Sequence, residues 1–116
     1  MPLQYTRGFI DNATLLFKFD KHVTKRREFA YATAVEYEEH ADQFLGGPRG
    51  QDTDECFRTK LDGTVGDKLR YNHTSDEFGA LANDNVIRSY FIPDPARHWK
   101  PTNFDYFEQA CAEVRG

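Results

Sequence analysis

Histidine, arginine and lysine recur in this chain where they would suit phosphate chemistry. There are four histidines, His22, His40, His73 and His98, and the first lies in "FDKHVTKRREF" among Lys18, Lys21, Lys25, Arg26 and Arg27. Cutting RNA without a metal needs a base for the 2′-OH proton, an acid for the departing 5′-oxygen and cations for the charge that grows on phosphorus. Imidazole suits both proton roles near neutral pH, and the guanidinium fork matches phosphate oxygens. Arg70 in "DKLRYN" and Arg88 in "VIRSYF" fall on strand-like segments. Alternation puts Val86, Arg88 and Tyr90 on one face and Ile87, Ser89 and Phe91 on the other, with Ile87 and Phe91 marking the core side. An outward face carrying Arg88, Tyr90 and Arg70 would make a phosphate platform, although the spacing equally fits cross-strand pairing of Arg88 with Glu77 or Asp67.

Other chemistries find less material. Glu36 and His40 in "EYEEH" could share a helix face, but two ligands fall short of a zinc site. No GxSxG occurs, and Gly63 and Gly66 suit turns better than a phosphate loop. Cys56 and Cys111 are widely spaced without a CxxC; two buried free thiols are the preferred reading, with a disulfide left open. His40 and His73 read as surface residues. Trp99 could stack on a base or pin its Pro-rich loop to the core.

The elements that must position these residues follow from pattern. Asn12 is placed to cap a helix over "ATLLFKF", with the basic stretch at its end, where the macrodipole favours cations. Thr33 and Glu36 form a capping box for "TAVEYEEHADQFL", with Tyr37, Ala41, Phe44 and Leu45 as its apolar stripe. Gly46, Gly47 and Pro48 end that helix, and Glu38, Glu39 and Asp42 read as its solvated face. "ECFRTKL", "DKLRYN", "EFGALA" and "VIRSYFI" are strand-length segments joined by short turns, which implies an antiparallel meander. "PDPARHWKP" reads as irregular, and Thr102 caps a last helix with Phe104, Phe107, Cys111 and Val114 on its buried stripe. The fold class is α+β: N-terminal helices packed on a meander of about four strands, with a C-terminal helix and one sheet face covered.

Bulk properties bound the function. A chain of 116 residues fits one domain, residues 1–116, and its ten Phe and six Tyr supply the apolar mass of a core. A net charge of −4 excludes an all-over basic surface, so any polyanion site is local. No apolar run approaches the ~20 residues of a membrane span, and "MPLQYTRGF" lacks the apolar core of a secretory signal. A cytosolic protein is expected, or a fragment whose delivery is handled by other parts of a longer polypeptide.

The order "KH" then "REF", a "Y…A..FL" helix, "RYN…EFG", "IRSYF.PDP..H" and a closing "N.DYF" helix resembles the C-terminal toxin domains of bacterial polymorphic toxins. These are contact-dependent inhibition and Rhs effectors of the barnase, EndoU, colicin and RelE-like nuclease superfamily. The "KH" and "EF" pair is also similar to the tRNase domain of colicin D. The resemblance runs over about residues 17 to 107. It implies a metal-independent ribonuclease toxin without cofactor, directed at tRNA and leaving a 2′,3′-cyclic phosphate. Such a domain is delivered from a secreted or cell-surface effector into a target cell's cytoplasm and neutralised by a cognate immunity protein. His22 would then be acid or base, Lys21 and Arg88 phosphate stabilisers, and His98 the second proton-transfer group. Ser89 stands where threonine is usual, and Arg70 and Tyr71 match "RY". The run "HVTKRREF" is more basic than the usual gap, which makes Lys25, Arg26 and Arg27 candidates for holding a long RNA. A non-catalytic interaction domain, immunity-like or RNA-binding, is the alternative, and its acidic balance suits it. A DNA nuclease of the same toxin systems would need a metal.

Overall fold

In a computed structural model that describes residues 3–114, the chain forms helix α1 (Asn12–Phe19), a π-helical turn (Asp20–Lys25) and helix α2 (Ala34–Gly46). Strands β1 (Thr53–Thr59), β2 (Val65–Asn72), β3 (Phe78–Leu81) and β4 (Ile87–Phe91) follow. Helices α3 (Pro95–His98) and α4 (Asn103–Ala112) complete the fold. The sheet is an antiparallel meander in the order β1-β2-β3-β4, and the class is α+β as the sequence pattern implies.

The caps explain where the helices begin. Thr33 and Thr102 are extended, and each hydroxyl accepts from the amide three residues on, Glu36 at 3.2 Å and Asp105 at 3.1 Å. At α1 the cap is Asp11, which accepts from Thr14 N at 2.7 Å, while Asn12 is the first helical residue. The stretch expected to be irregular holds one helical turn, because Asp94 accepts from Ala96 N at 3.0 Å and Pro95 starts the turn with a preset φ.

Both sheet faces are covered, not one. Tyr37, Ala41 and Leu45 of α2, each 0% exposed, pack with Leu15, Leu81, Ile87 and Tyr90 on one face. Phe107 and Ala110 of α4 pack with Leu69, Tyr71, Phe78 and Ala80 on the other. A bulge in β4 explains why simple alternation fails there: Ser89 pairs with Ala80 but Ile87 pairs with Leu81, leaving Arg88 as the extra residue. Ile87 and Tyr90 therefore share the α2 face, while Ser89 and Phe91 lie on the α4 face.

Two further expectations are corrected. The acidic side of α2 is not solvated. Asp42, 1% exposed, accepts from the amides of Gln4 (2.9 Å), Tyr5 (3.2 Å) and Thr6 (2.7 Å) and from Thr6 Oγ1 (2.7 Å). Glu38 accepts from Phe9 N at 3.0 Å, so this side of the helix docks the N-terminal segment. Burial pushes the Asp42 carboxyl up, and these bonds outweigh it, holding the group below the ordinary carboxylate range. Nor are the cysteines free: Cys56 of β1 and Cys111 of α4 form a disulfide with Cα atoms 6.1 Å apart. Cys56 pairs with Leu69 on the α4 side of the sheet, which sets it against the helix that carries Cys111.

Candidate functional site

The π-helical turn builds the centre of the site. Its wider hydrogen bonding, with Arg26 N donating to Lys21 O at 3.1 Å, is a form often met at functional sites. Arg27 then turns the chain back through the left-handed region at φ 53°, and Glu28 N donates to His22 O at 2.9 Å. This reversal lays the Glu28 carboxylate against the histidine six residues earlier. His22 Nδ1 stands 3.2 Å from both Glu28 oxygens. A carboxylate only accepts, so Nδ1 carries the proton, and whenever the ring is neutral Nε2 is its acceptor nitrogen.

Glu28 holds more than His22. Its carboxylate accepts from Ile92 N at 2.8 Å, and the guanidiniums of Arg97 and Arg26 approach to 3.8 Å and 4.0 Å. The Glu28 side chain is 8% exposed, His22 is 3% exposed, and the imidazole stacks on Phe91 with centroids 5.2 Å apart. Phe91 also lines a cleft of about 230 Å³ with Arg26, Asp94, Arg97, His98 and Tyr106.

His98 closes the other side of that cleft. Its Nδ1 accepts from the Lys100 amide at 3.0 Å, Nε2 donates to Asn103 Oδ1 at 2.9 Å, and the ring stacks on Tyr106 at 4.7 Å. Both ring nitrogens are thus engaged, in the tautomer opposite to that of His22. The two histidines are 76 residues apart in sequence; His98 lines the cleft, and His22 stacks on its lining residue Phe91 without lining it itself.

The other predicted residues are dispersed. Lys21 is half-exposed beside His22 and, together with burial as the larger cause, holds the Lys18 amine below its ordinary range. Lys25 pairs with Asp20 at 3.1 Å on the surface, and Arg27 is exposed. Arg88 does not line the cleft; its Nε lies 3.0 and 2.9 Å from the Asp67 oxygens, which is the cross-strand pairing its spacing allowed. Ser89 is half-buried on the α4 face.

The outward phosphate platform is not formed, because Arg70 and Tyr90 are interior and leave Arg88 as its one exposed member. Arg70, 5% exposed, donates to Glu55 at 2.9 Å and to the Phe44 and Gly47 carbonyls at 3.0 and 2.7 Å. It caps the C-terminus of α2, where otherwise unpaired carbonyls need donors. Tyr71, 4% exposed, donates to Asp76, and Tyr90, 0% exposed, donates to Glu77 and meets the Tyr31 hydroxyl. Burial, and then the carboxylate beside each, pushes both phenols up. Trp99 does not pin its loop; it is 85% exposed.

Sequence reasoning passed over Glu28, Arg97 and Asn103. Glu28 stood inside the quoted "REF", but its role depends on the reversal at Arg27. Among the described residues, no three His, Cys, Asp or Glu side chains gather as a metal site. What fold and site define is an α+β domain with a meander sheet covered on both faces and a buried His–Glu pair beside an arginine-lined cleft. Neither family models nor curated proteins match the chain.

Proposed function

We propose that the chain is a metal-independent endoribonuclease domain of the toxin type, acting on tRNA and neutralised by a cognate immunity protein. The observation that carries the reading is the Glu28 carboxylate, met at once by His22 Nδ1, Arg26 and Arg97 at a cleft with a second imidazole on its rim. In this reading the scissile phosphate lies between Arg26 and Arg97, whose forks can grip its oxygens more closely than they approach Glu28. His22 Nε2 takes the 2′-OH proton, the 2′-oxygen attacks phosphorus and the bond to the 5′-oxygen breaks. The products are a 2′,3′-cyclic phosphate and a 5′-hydroxyl.

Glu28 holds the Nδ1 proton in place and offsets the charge that His22 acquires. His98 gives its proton to the departing oxygen. To do so it must carry a proton on Nδ1, replacing the bond now accepted from the Lys100 amide. His22 is 3% exposed in this state, so in this reading substrate binding must uncover its Nε2. Lys25 and Arg27 position the RNA backbone, each adding about one unit to the salt dependence of binding.

Incubating the purified protein with total tRNA in EDTA tests the proposal. Discrete fragments ending in 2′,3′-cyclic phosphate are expected. The 3% exposure of His22 favours a second reading, a domain that binds at this cleft without cutting. Intact tRNA recovered in a complex would support that alternative, and cleavage only after adding Mg²⁺ would end the metal-independent reading.

A further inference from the structure

Trp99 is the chain's only tryptophan. It is 85% exposed and stands at the C-cap of α3 with φ 62° and ψ 14°, in the left-handed region. Neither the fold nor the backbone accounts for an indole here. A tryptophan ordinarily contributes by burial, and a left-handed C-cap is most easily taken by glycine. The local structure nevertheless fixes the residue outward. Trp99 N donates to Pro95 O at 3.0 Å, His98 is held by Asn103, and the Lys100 amide is tied back to His98. Pro101 stiffens the chain beyond it.

The neighbours of the ring indicate its ligand. Arg97 and His98, immediately before Trp99, line the cleft, and Lys100 immediately follows it. We infer that Trp99 is a stacking platform for one unpaired nucleobase next to the cleft, so that the substrate is RNA with a single-stranded or flipped-out nucleotide at the cleavage site. The inference rests on the reading of the cleft as an RNA site. An aromatic face flanked by cations that track the backbone takes any base, and a base within a duplex has no free face to offer. An exposed tryptophan can also anchor a protein partner, but the two arginines of the adjoining cleft and Lys100 beside the ring in sequence favour a polyanion here. This ring is bracketed in sequence by Arg97 and Lys100.

As the only tryptophan, Trp99 reports its own occupancy by fluorescence. The probe is a non-cleavable single-stranded 2′-O-methyl octanucleotide, titrated in EDTA beside the same sequence in a blunt RNA duplex, with tRNA cleavage followed in parallel. The single strand should quench the emission and the duplex should not. Trp99→Ala should raise KM for tRNA by roughly 5- to 150-fold, with Trp99→Phe recovering part of the loss. At so exposed a site the thermal midpoint of either variant should be unchanged.

Cleavage without quenching, and with an unaltered KM in Trp99→Ala, would overturn the inference and leave the nuclease reading standing. Quenching without cleavage would uphold the platform and end the nuclease reading. Neither signal would end both. Quenching by a co-purified partner protein and not by RNA would overturn the inference in favour of a protein contact.

Discussion

Removing the Glu28 carboxylate should cost both stability and activity, in amounts set by what it holds. In Glu28→Ala the Ile92 amide and His22 Nδ1–H, bonded to Glu28 at 2.8 and 3.2 Å, lose their acceptor in a place closed to water. A buried donor left unpaired costs about 1–3 kcal/mol, so the two together amount to ~2–6 kcal/mol. With a urea dependence of about 2 kcal/mol per molar, the unfolding midpoint should fall by ~1–3 M. Glu28→Gln keeps an acceptor for one of the two donors but turns an amide group toward Arg26 and Arg97, and should lose ~1–2 kcal/mol. Its tRNA cleavage should fall by roughly tenfold or more in kcat, because a loosely held imidazole is a poorer base. Equilibrium urea unfolding of both variants, with single-turnover cleavage for Glu28→Gln, supplies the measurements. An Ala variant as stable as the parent would refute the contact between Glu28 and His22 and the account of the site built on it.

Other outcomes follow from the same structure. Asp42 has a carboxyl held below its unfolded value, so its stabilisation is complete above the ordinary carboxylate range and is lost as pH falls through that range toward the folded value. Asp42→Ala should therefore lower the thermal midpoint at pH 7 and flatten the acid limb of a stability–pH curve, read by circular dichroism. A Cβ at Gly79 would lie 2.8 Å from Leu45 Cδ2 and 2.8 Å from Ser89 O. Gly79→Ala should thus cost about 1–3 kcal/mol through overpacking, visible as a lower midpoint in thermal unfolding. Reducing the Cys56–Cys111 bridge, which spans 55 residues, should cost ~2–4 kcal/mol, checked by urea unfolding with and without dithiothreitol.

Local chemistry made much of the fold legible. The Thr33 and Thr102 caps, the Tyr37, Ala41 and Leu45 stripe and the three short turns each act within a few residues, and the helices and meander stand where they indicate. What escaped depends on distant partners or on a single backbone reversal. One extra residue at Arg88 moves Ile87 and Tyr90 to the same face, and nothing in "VIRSYF" marks that bulge. The acidic residues of α2 look solvated until the N-terminal segment is laid on them. Arg70 looks like a strand-surface cation until the end of α2 arrives to use it. The site divides likewise. His98 lines the cleft and His22 lies behind its lining residue Phe91, but Arg88 is spent on Asp67, and the guanidiniums at the cleft are Arg26 and Arg97. Glu28 could not be weighted from the sequence, since its bond to His22 requires the positive φ at Arg27, a residue type that gives no hint of it.

The central claim is that His22 does the proton chemistry of RNA cleavage. Its most direct test is single-turnover cleavage of tRNA in EDTA by the parent protein and by His22→Ala, with His22→Gln as a companion that fills the same space and can still reach Glu28. The account predicts that both variants fold and lose about 10²- to 10⁴-fold in rate, the usual contribution of a positioned base. Undiminished cleavage in either folded variant would contradict it.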